Sequence, residues 1–195
     1  MKDIDEITKD SYYMFSGQGI PSLYTKIAPA LEDIRLFNRT HEANKIEHFV
    51  VCLDTDYYGS ENQTYFRVSQ ELIKNGVGDI EFSIILQTMC IETWFLGNRK
   101  DFPQDYDEDF KGFVDYYNVS TEDPEAMREP EEESSIGSYS KKYLKKMLNQ
   151  RGETYSVSKV NAVTTKEYIV GMEERLINTE HIKSYKNFRN FIDTL

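Results

Sequence analysis

Two aspartates directly follow an apolar segment with the composition of a buried strand. Residues 50–53 read VVCL, and Asp54 and Asp56 come next, separated by one threonine. Because alternate residues of an extended chain point to the same side, the two carboxylates are expected to converge. Mg²⁺ and Mn²⁺ are held by one or two such oxygen donors together with water and phosphate. The spacing favours a divalent-metal site, and the alternative is a turn, in which Asp is also common.

A third carboxylate, Glu92, interrupts another apolar segment. Residues 89–97 read MCIETWFLG, which contains the only tryptophan of the chain, Trp94. A carboxylate in such surroundings has to be paired, bound to a cation or protonated, because burying the charge alone is costly. We expect Asp54, Asp56 and Glu92 to form one acidic cluster, as metal ligands and catalytic residues. The alternative is that Glu92 faces solvent or caps a short helix.

Two other segments have residues suited to binding phosphate. Residues 15–19 read FSGQG, a glycine-rich turn in which the backbone N–H groups of Gly17 and Gly19 could meet a phosphate. This turn lacks both the full dinucleotide-binding fingerprint and a Walker lysine. On a later predicted helix, Lys141, Lys142 and Lys145 could guide a nucleic-acid backbone, or could simply form a solvated face.

The elements that must position these residues alternate between strands and helices. Strands are predicted at 11–15, 46–53 and 80–86. The apolar positions of two intervening helices are Leu23, Ile27, Leu31 and Ile34 in the first, and Phe66, Val68, Leu72 and Ile73 in the second. This order predicts an α/β fold with a mainly parallel sheet flanked by helices, and Asp54 and Asp56 at the carboxyl edge of its strands.

Composition divides the chain into three predicted segments. Residues 1–98 form the α/β core, 99–138 an acidic and partly disordered insertion, and 139–195 a helical extension that packs on the core. Within the insertion, residues 123–135 are expected to be mobile, because their composition cannot bury enough apolar surface to offset ordering. The extension is predicted to contain a helix capped by Ser140, a second helix that opens at Thr164 and Thr165, and a third from about Ile182.

Overall composition excludes several classes of protein. The chain has 195 residues, of which 39% are hydrophobic, and carries 23 basic and 34 acidic residues for a net charge of −11. The apolar runs are too short to span a membrane, and the polar N-terminus does not resemble a signal peptide. Cys52 and Cys90 both lie in apolar segments, which predicts reduced core thiols and a cytoplasmic location. The net charge opposes long-range attraction to nucleic acid but leaves local binding by the basic helix open.

Taken together, these motifs resemble the Toprim-related proteins of the RloB kind, small bacterial proteins often associated with defence and restriction loci. The resemblance rests on the glycine turn at 15–19, on Asp54 and Asp56 after a strand, and on residues 92–96, which read ETWFL. Residues 139–148 are similar to the family's lysine-rich helix, and residues 181–195 to its closing helix.

The resemblance implies a Toprim-like fold with Mg²⁺ or Mn²⁺ on Asp54 and Asp56, and cleavage or transfer at phosphodiesters of DNA or RNA, in anti-phage defence. Toprim domains generally carry a glutamate after the first strand, where this chain has Ser16 and Gly17, with Gln18 as the nearest polar residue. Neither serine nor glutamine titrates near neutral pH. The alternative is therefore a catalytically inactive regulatory or sensor subunit that binds a protein partner of a defence complex. A homo-oligomer is compatible with both interpretations, and a membrane partner with neither.

Overall fold

The computed structural model describes residues 12–55, 59–78 and 80–194. These residues form seven α-helices and two strands, with short 3₁₀ helices at Pro124–Ala126 and Asn161–Val163. In chain order they are α1 (Ser22–Thr40), β1 (His48–Asp54), α2 (Glu61–Lys74), β2 (Glu81–Gln87), α3 (Ile91–Phe95), α4 (Glu108–Tyr116), α5 (Ile136–Asn149), α6 (Lys166–Asn178) and α7 (Lys183–Ile192). β1 and β2 pair in parallel, so the predicted α/β class is confirmed.

The sheet is smaller than predicted, because the strand expected at 11–15 is wrong over its described part. Residues 12–15 have no regular structure, and Ser11 lies outside the described residues. Tyr12 and Met14 are 86% and 77% exposed. High β-propensity indicates a residue that fits a pleated, half-buried surface, and a strand still needs a neighbour to pair with. The sheet of the described residues has two strands.

The chain divides into two compact units that are discontinuous in sequence. Of the described residues, the first unit comprises 12–53, 62–78 and 80–85, and the second comprises 54–55, 59–61 and 86–194. The predicted segments 1–98, 99–138 and 139–195 stay a prediction.

In the first unit, the helix predicted from the spacing of apolar residues is present as α1. It buries Ile27, Leu31 and Ile34, as expected. For α2 the prediction was partly wrong, because Phe66 and Ile73 are 62% and 63% exposed. The helix buries the side that carries Thr64, Val68 and Leu72. At 3.6 residues per turn, Phe66 and Ile73 lie on the opposite side.

Strand β1 has the alternating burial that a two-residue period produces. Phe49, Val51 and Leu53 are buried, whereas Cys52 between them is exposed. The prediction of two core thiols is therefore wrong for Cys52 and confirmed for Cys90, which is 4% exposed. A continuous apolar run does not reveal which residues of a strand face outward.

In the second unit, α3 packs against α5 and against the 3₁₀ helix at 124–126, and α4 also packs against α5. The side chain of Ser135 caps α5 by accepting a hydrogen bond from the Ser138 N–H. Ser140, predicted as the cap, instead lies inside the helix with 0% exposure. α6 is capped by Thr165, in agreement with the predicted start.

Part of the acidic segment at 123–135 is buried. The prediction that its composition keeps the segment out of the core is therefore wrong for its first residues. Glu125 is buried, and Met127 has 0% exposure. A count of acidic residues describes the segment as a whole and misses the few side chains that anchor it. Among the described residues, no helix has both the length and the apolarity to cross a membrane.

Candidate metal and catalytic site

The loops that follow the two strands are tied together at the carboxyl end of the sheet. Asp54 is the last residue of β1, one position beyond the predicted end of the strand. The next residue, Thr55, donates its N–H to the Gln87 carbonyl at 3.0 Å, and its Oγ1 accepts the Met89 N–H at 2.9 Å. Met89 is 1% exposed and adopts a left-handed φ of 65°. Such a conformation is unfavourable for methionine and persists where the surroundings fix it.

Glu92 lies inside the protein, on the five-residue helix α3, with a neutral partner. Glu92 is 7% exposed and Tyr155 is 4% exposed. The Tyr155 hydroxyl donates to Oε1 of Glu92 at 3.0 Å. No basic side chain of the described residues forms an ion pair with this carboxylate. The expectation that a buried Glu92 has a partner is confirmed, and that partner is an uncharged phenol.

Asp54 and Glu92 act electrostatically on the same two buried groups. Burial raises the pKa of the Cys90 thiol, and the charges of Glu92 and Asp54 raise this pKa further. Burial likewise raises the pKa of Tyr155, with added contributions from Glu92, Cys90 and Asp54. We call these four residues the Asp54–Glu92 cluster. Two of the three carboxylates that the sequence predicted, Asp54 and Glu92, thus act on the same two neighbours.

The donors in this cluster suit a hard cation. Because the pKa of Cys90 is raised, its sulfur stays protonated at neutral pH and offers no thiolate ligand. The remaining donors are oxygens, which Mg²⁺ and Mn²⁺ prefer. Within 12–55, 59–78 and 80–194, no group of three or more His, Cys, Asp or Glu side chains could hold a metal ion. Asp56, the third predicted ligand, lies outside the described residues.

The glycine turn predicted to bind phosphate belongs to the first unit and precedes α1. Gln18 and Gly19 have positive φ values of 60° and 73°, and the Gly19 carbonyl accepts the Leu23 N–H at 2.8 Å. A Cβ added to Gly17 would lie 2.5 Å from Cδ1 of Leu23, the end of a flexible side chain that would have to move. Phosphate binding by Gly17 and Gly19 stays a prediction.

The three lysines predicted to contact phosphate differ in their surroundings. Lys142 forms hydrogen bonds to both carboxylate oxygens of Glu133, at 2.7 and 2.8 Å. Lys141 and Lys145, one helical turn apart on α5, are exposed. The neighbouring Lys146 pairs with Asp109 at 2.9 Å. Lys141 and Lys145 therefore remain the members of the group most available to an anionic ligand.

A second buried carboxylate, Glu125, holds the start of α7. Its Oε1 accepts the Ser184 hydroxyl at 2.5 Å, and both of its oxygens accept the Ser184 N–H at 3.2 Å. Ser184 Oγ in turn accepts the indole N–H of Trp94 at 2.6 Å and the Thr88 N–H at 3.1 Å. Burial raises the pKa of Glu125 to about 7. This network joins α7 to α3, the helix that carries Glu92.

Sequence reasoning missed both Tyr155 and Glu125. Tyr155 lies in a polar loop, 63 positions from the carboxylate that it contacts, and no local pattern links the two. Glu125 is one of many carboxylates in an acidic stretch. Its only local signal is the Asp-Pro-Glu sequence at 123–125, in which Asp123 caps the 3₁₀ helix.

Comparisons of the chain with protein-family models, with curated proteins and with solved structures gave no match.

Proposed function

We propose that this chain is a Toprim-like, divalent-metal-dependent phosphodiesterase that acts on DNA or RNA. The observation that carries the proposal is the buried carboxylate Glu92, whose hydrogen-bond partner is a phenol, together with Asp54 at the carboxyl end of β1. Open α/β sheets place their ligands at this edge. Two like charges in a poorly solvated place repel each other, and a cation relieves that repulsion.

In this proposal, Asp54 and Glu92 would hold Mg²⁺ or Mn²⁺, and Asp56 would add a third carboxylate. Such a cation stabilises the charge that develops on a phosphoryl group during its transfer. The hydrogen-bond partner of Glu92 is a phenol, which brings no positive charge to the site. Ser16 and Gln18 do not ionise near neutral pH, so the carboxylates themselves are the groups available for proton transfer.

The basic face of α5 would supply contacts to the nucleic-acid backbone. Lys141 and Lys145 are exposed, whereas Ser140, which precedes Lys141, has no exposure. α5 therefore carries exposed lysines and also packs against α3, the helix that carries Glu92. Phosphate contacts by lysine are independent of sequence, so α5 would position the substrate without selecting bases.

Cleavage of a supercoiled plasmid and of labelled RNA, with Mn²⁺ and with EDTA, tests the proposal. We expect Mn²⁺-dependent nicking that is abolished by Asp54→Asn and by Glu92→Gln. The matched control is Glu153→Gln, because Glu153 is an exposed carboxylate of the same unit. Activity that survives both substitutions, or that is equally strong in EDTA, would refute the proposal.

A second candidate is a catalytically inactive regulatory or sensor subunit that binds a protein partner, as in a defence complex. It is favoured by the exposure of Tyr12, Tyr13, Met14 and Phe15, which range from 45% to 86%. Contiguous apolar residues at a surface are typical of protein–protein contacts. This candidate predicts that Asp54→Asn leaves the cellular phenotype unchanged, whereas replacement of Tyr12 and Met14 by serine abolishes it.

A further inference from the structure

We propose that Tyr155 is a positioning residue that aims Glu92 at the cation, an inference that rests on the proposed metal-dependent function. Tyr155 contacts no substrate in this proposal. It acts through the hydrogen bond from its hydroxyl to Oε1 of Glu92, 3.0 Å long and buried at both ends.

The first step of the argument is geometric. A glutamate side chain has three rotatable bonds, so a carboxylate on a short helix needs a second contact to fix its direction. The Tyr155 hydroxyl donates to Oε1, so in this proposal Oε2 is the oxygen that a cation would bind. Partners of this kind orient metal ligands in many proteins.

The second step concerns charge. An arginine or lysine in the place of Tyr155 would also hold Glu92, but it would cancel the negative charge that a cation needs. A phenol donates one hydrogen bond and remains neutral. The pair thus combines a fixed orientation with a partner that brings no positive charge, which a structural ion pair would not provide.

The third step shows that Tyr155 is itself held in place. Its ring meets the edge of Phe95 with a centroid distance of 6.2 Å and an interplanar angle of 65°. On its carboxyl side, Ser156 and Lys159 form an antiparallel bridge that closes a tight turn. Because its ring is fixed by packing and its backbone by a turn, Tyr155 can hold the Glu92 carboxylate in one orientation.

Tyr168 offers a matched control within the same unit. It is 2% exposed, its ring also contacts the edge of Phe95, and its hydroxyl donates to the Phe95 carbonyl at 2.7 Å. Tyr168→Phe therefore removes a buried phenol hydroxyl of the same kind without touching Glu92. A general effect of losing such a hydroxyl would be the same in both variants.

The test is a titration of the full chain with Mn²⁺, followed by the electron paramagnetic resonance signal of the free ion. We expect Tyr155→Phe to weaken Mn²⁺ binding by about tenfold, the lower end of the effect of outer-shell partners. Tyr168→Phe should bind Mn²⁺ as the wild type does. Equal affinity of Tyr155→Phe and the wild type would overturn the role of Tyr155 and leave the proposed function standing. Failure of the wild type to bind Mn²⁺ would overturn both.

Thermal unfolding without metal shows whether each variant folds. Should Tyr155→Phe fail to fold, incorporation of 3-fluorotyrosine at position 155 keeps the ring and strengthens the hydroxyl as a donor. We then expect a change of at least about twofold in the Mn²⁺ dissociation constant, whereas the same replacement at position 168 leaves it unchanged. An unchanged constant at both positions would overturn the inference.

Discussion

The Ser184 hydroxyl and the Glu125 carboxylate lie 2.5 Å apart in the interior of the second unit. Ser184 is 5% exposed and Glu125 is 7% exposed. Because Ser184 also accepts hydrogen bonds from Trp94 and Thr88, a single serine links three elements: α7, α3 and the loop after β2. This arrangement has consequences for stability that do not depend on the proposed activity.

The stability of the chain should depend on pH through Glu125. Burial raises the pKa of Glu125 from the ordinary value of 4.5 to about 7 in the folded state. The folded state therefore binds more protons than the unfolded state between these values, so the free energy of unfolding falls as pH rises through this window and levels off above it. The contribution that is lost is up to about 3 kcal/mol.

Urea unfolding of Glu125→Gln across the same window measures this contribution. The variant cannot ionise at position 125. The free energy of unfolding of the wild type should therefore fall relative to that of the variant as pH rises. Glu129→Gln, a change at an exposed position of the same acidic stretch, is the control and should track the wild type. A difference that stays constant with pH would show that Glu125 does not titrate in this range.

Removal of the Ser184 hydroxyl should destabilise the second unit. Ser184→Ala leaves the Trp94 indole N–H and the Thr88 N–H without their acceptor. Each buried donor that loses its partner costs about 1–3 kcal/mol. The midpoint of urea unfolding should drop, and Trp94 fluorescence reports the transition because the chain has one tryptophan. Ser158→Ala, at an exposed serine, should leave the midpoint unchanged.

Replacement of Arg175 by lysine should destabilise the folded chain. Its guanidinium is buried and donates to the carbonyls of Val119 at 2.6 Å and Glu122 at 2.5 Å, and it also contacts the ring of His181 at 2.8 Å. Lysine keeps a charge but cannot reproduce the planar fork. We expect Arg175→Lys to lower the free energy of unfolding by about 2–4 kcal/mol. The exposed Arg39→Lys serves as control, and equal stability of the two variants would contradict this role.

Lys141 and Lys145 should account for part of the salt dependence of nucleic-acid binding. The double variant Lys141→Gln/Lys145→Gln is expected to weaken binding of a fluorescent oligonucleotide and to reduce the slope of log K against log salt by about 2. Lys142→Gln/Lys146→Gln is the matched control, since these lysines already pair with Glu133 and Asp109. If the slope changes equally in both double variants, the prediction that Lys141 and Lys145 contact phosphate more than Lys142 and Lys146 do is wrong.

Local patterns were sufficient to predict the framework of the chain. The apolar spacing in α1, the strand that ends at Asp54 and the helix capped by Thr165 all correspond to observed elements. In each case the signal lies within about one helical turn or one strand of the residue concerned, so distant residues do not alter it.

The predictions that failed depended on partners that are distant in sequence. Residues 12–15 have strand composition but pair with neither of the two described strands, and Phe66 is apolar but lies on the outer side of α2. The site shows the same limit. Asp54 and Glu92 could be recognised from their flanking residues, whereas Tyr155 could not, because only the fold brings it to Glu92. Glu125 escaped notice since burial, not sequence, distinguishes it from the acidic residues around it.

The most direct test of the central claim is a Mn²⁺ titration of the wild type, Asp54→Asn, Glu92→Gln and the exposed control Glu153→Gln. The account predicts that the wild type and the control bind Mn²⁺ with the same affinity. Asp54→Asn and Glu92→Gln should each weaken binding by at least about 100-fold, beyond the usual effect of an outer-shell partner. No Mn²⁺ binding by the wild type, or equal binding by all four proteins, would contradict the claim that Asp54 and Glu92 form a metal site.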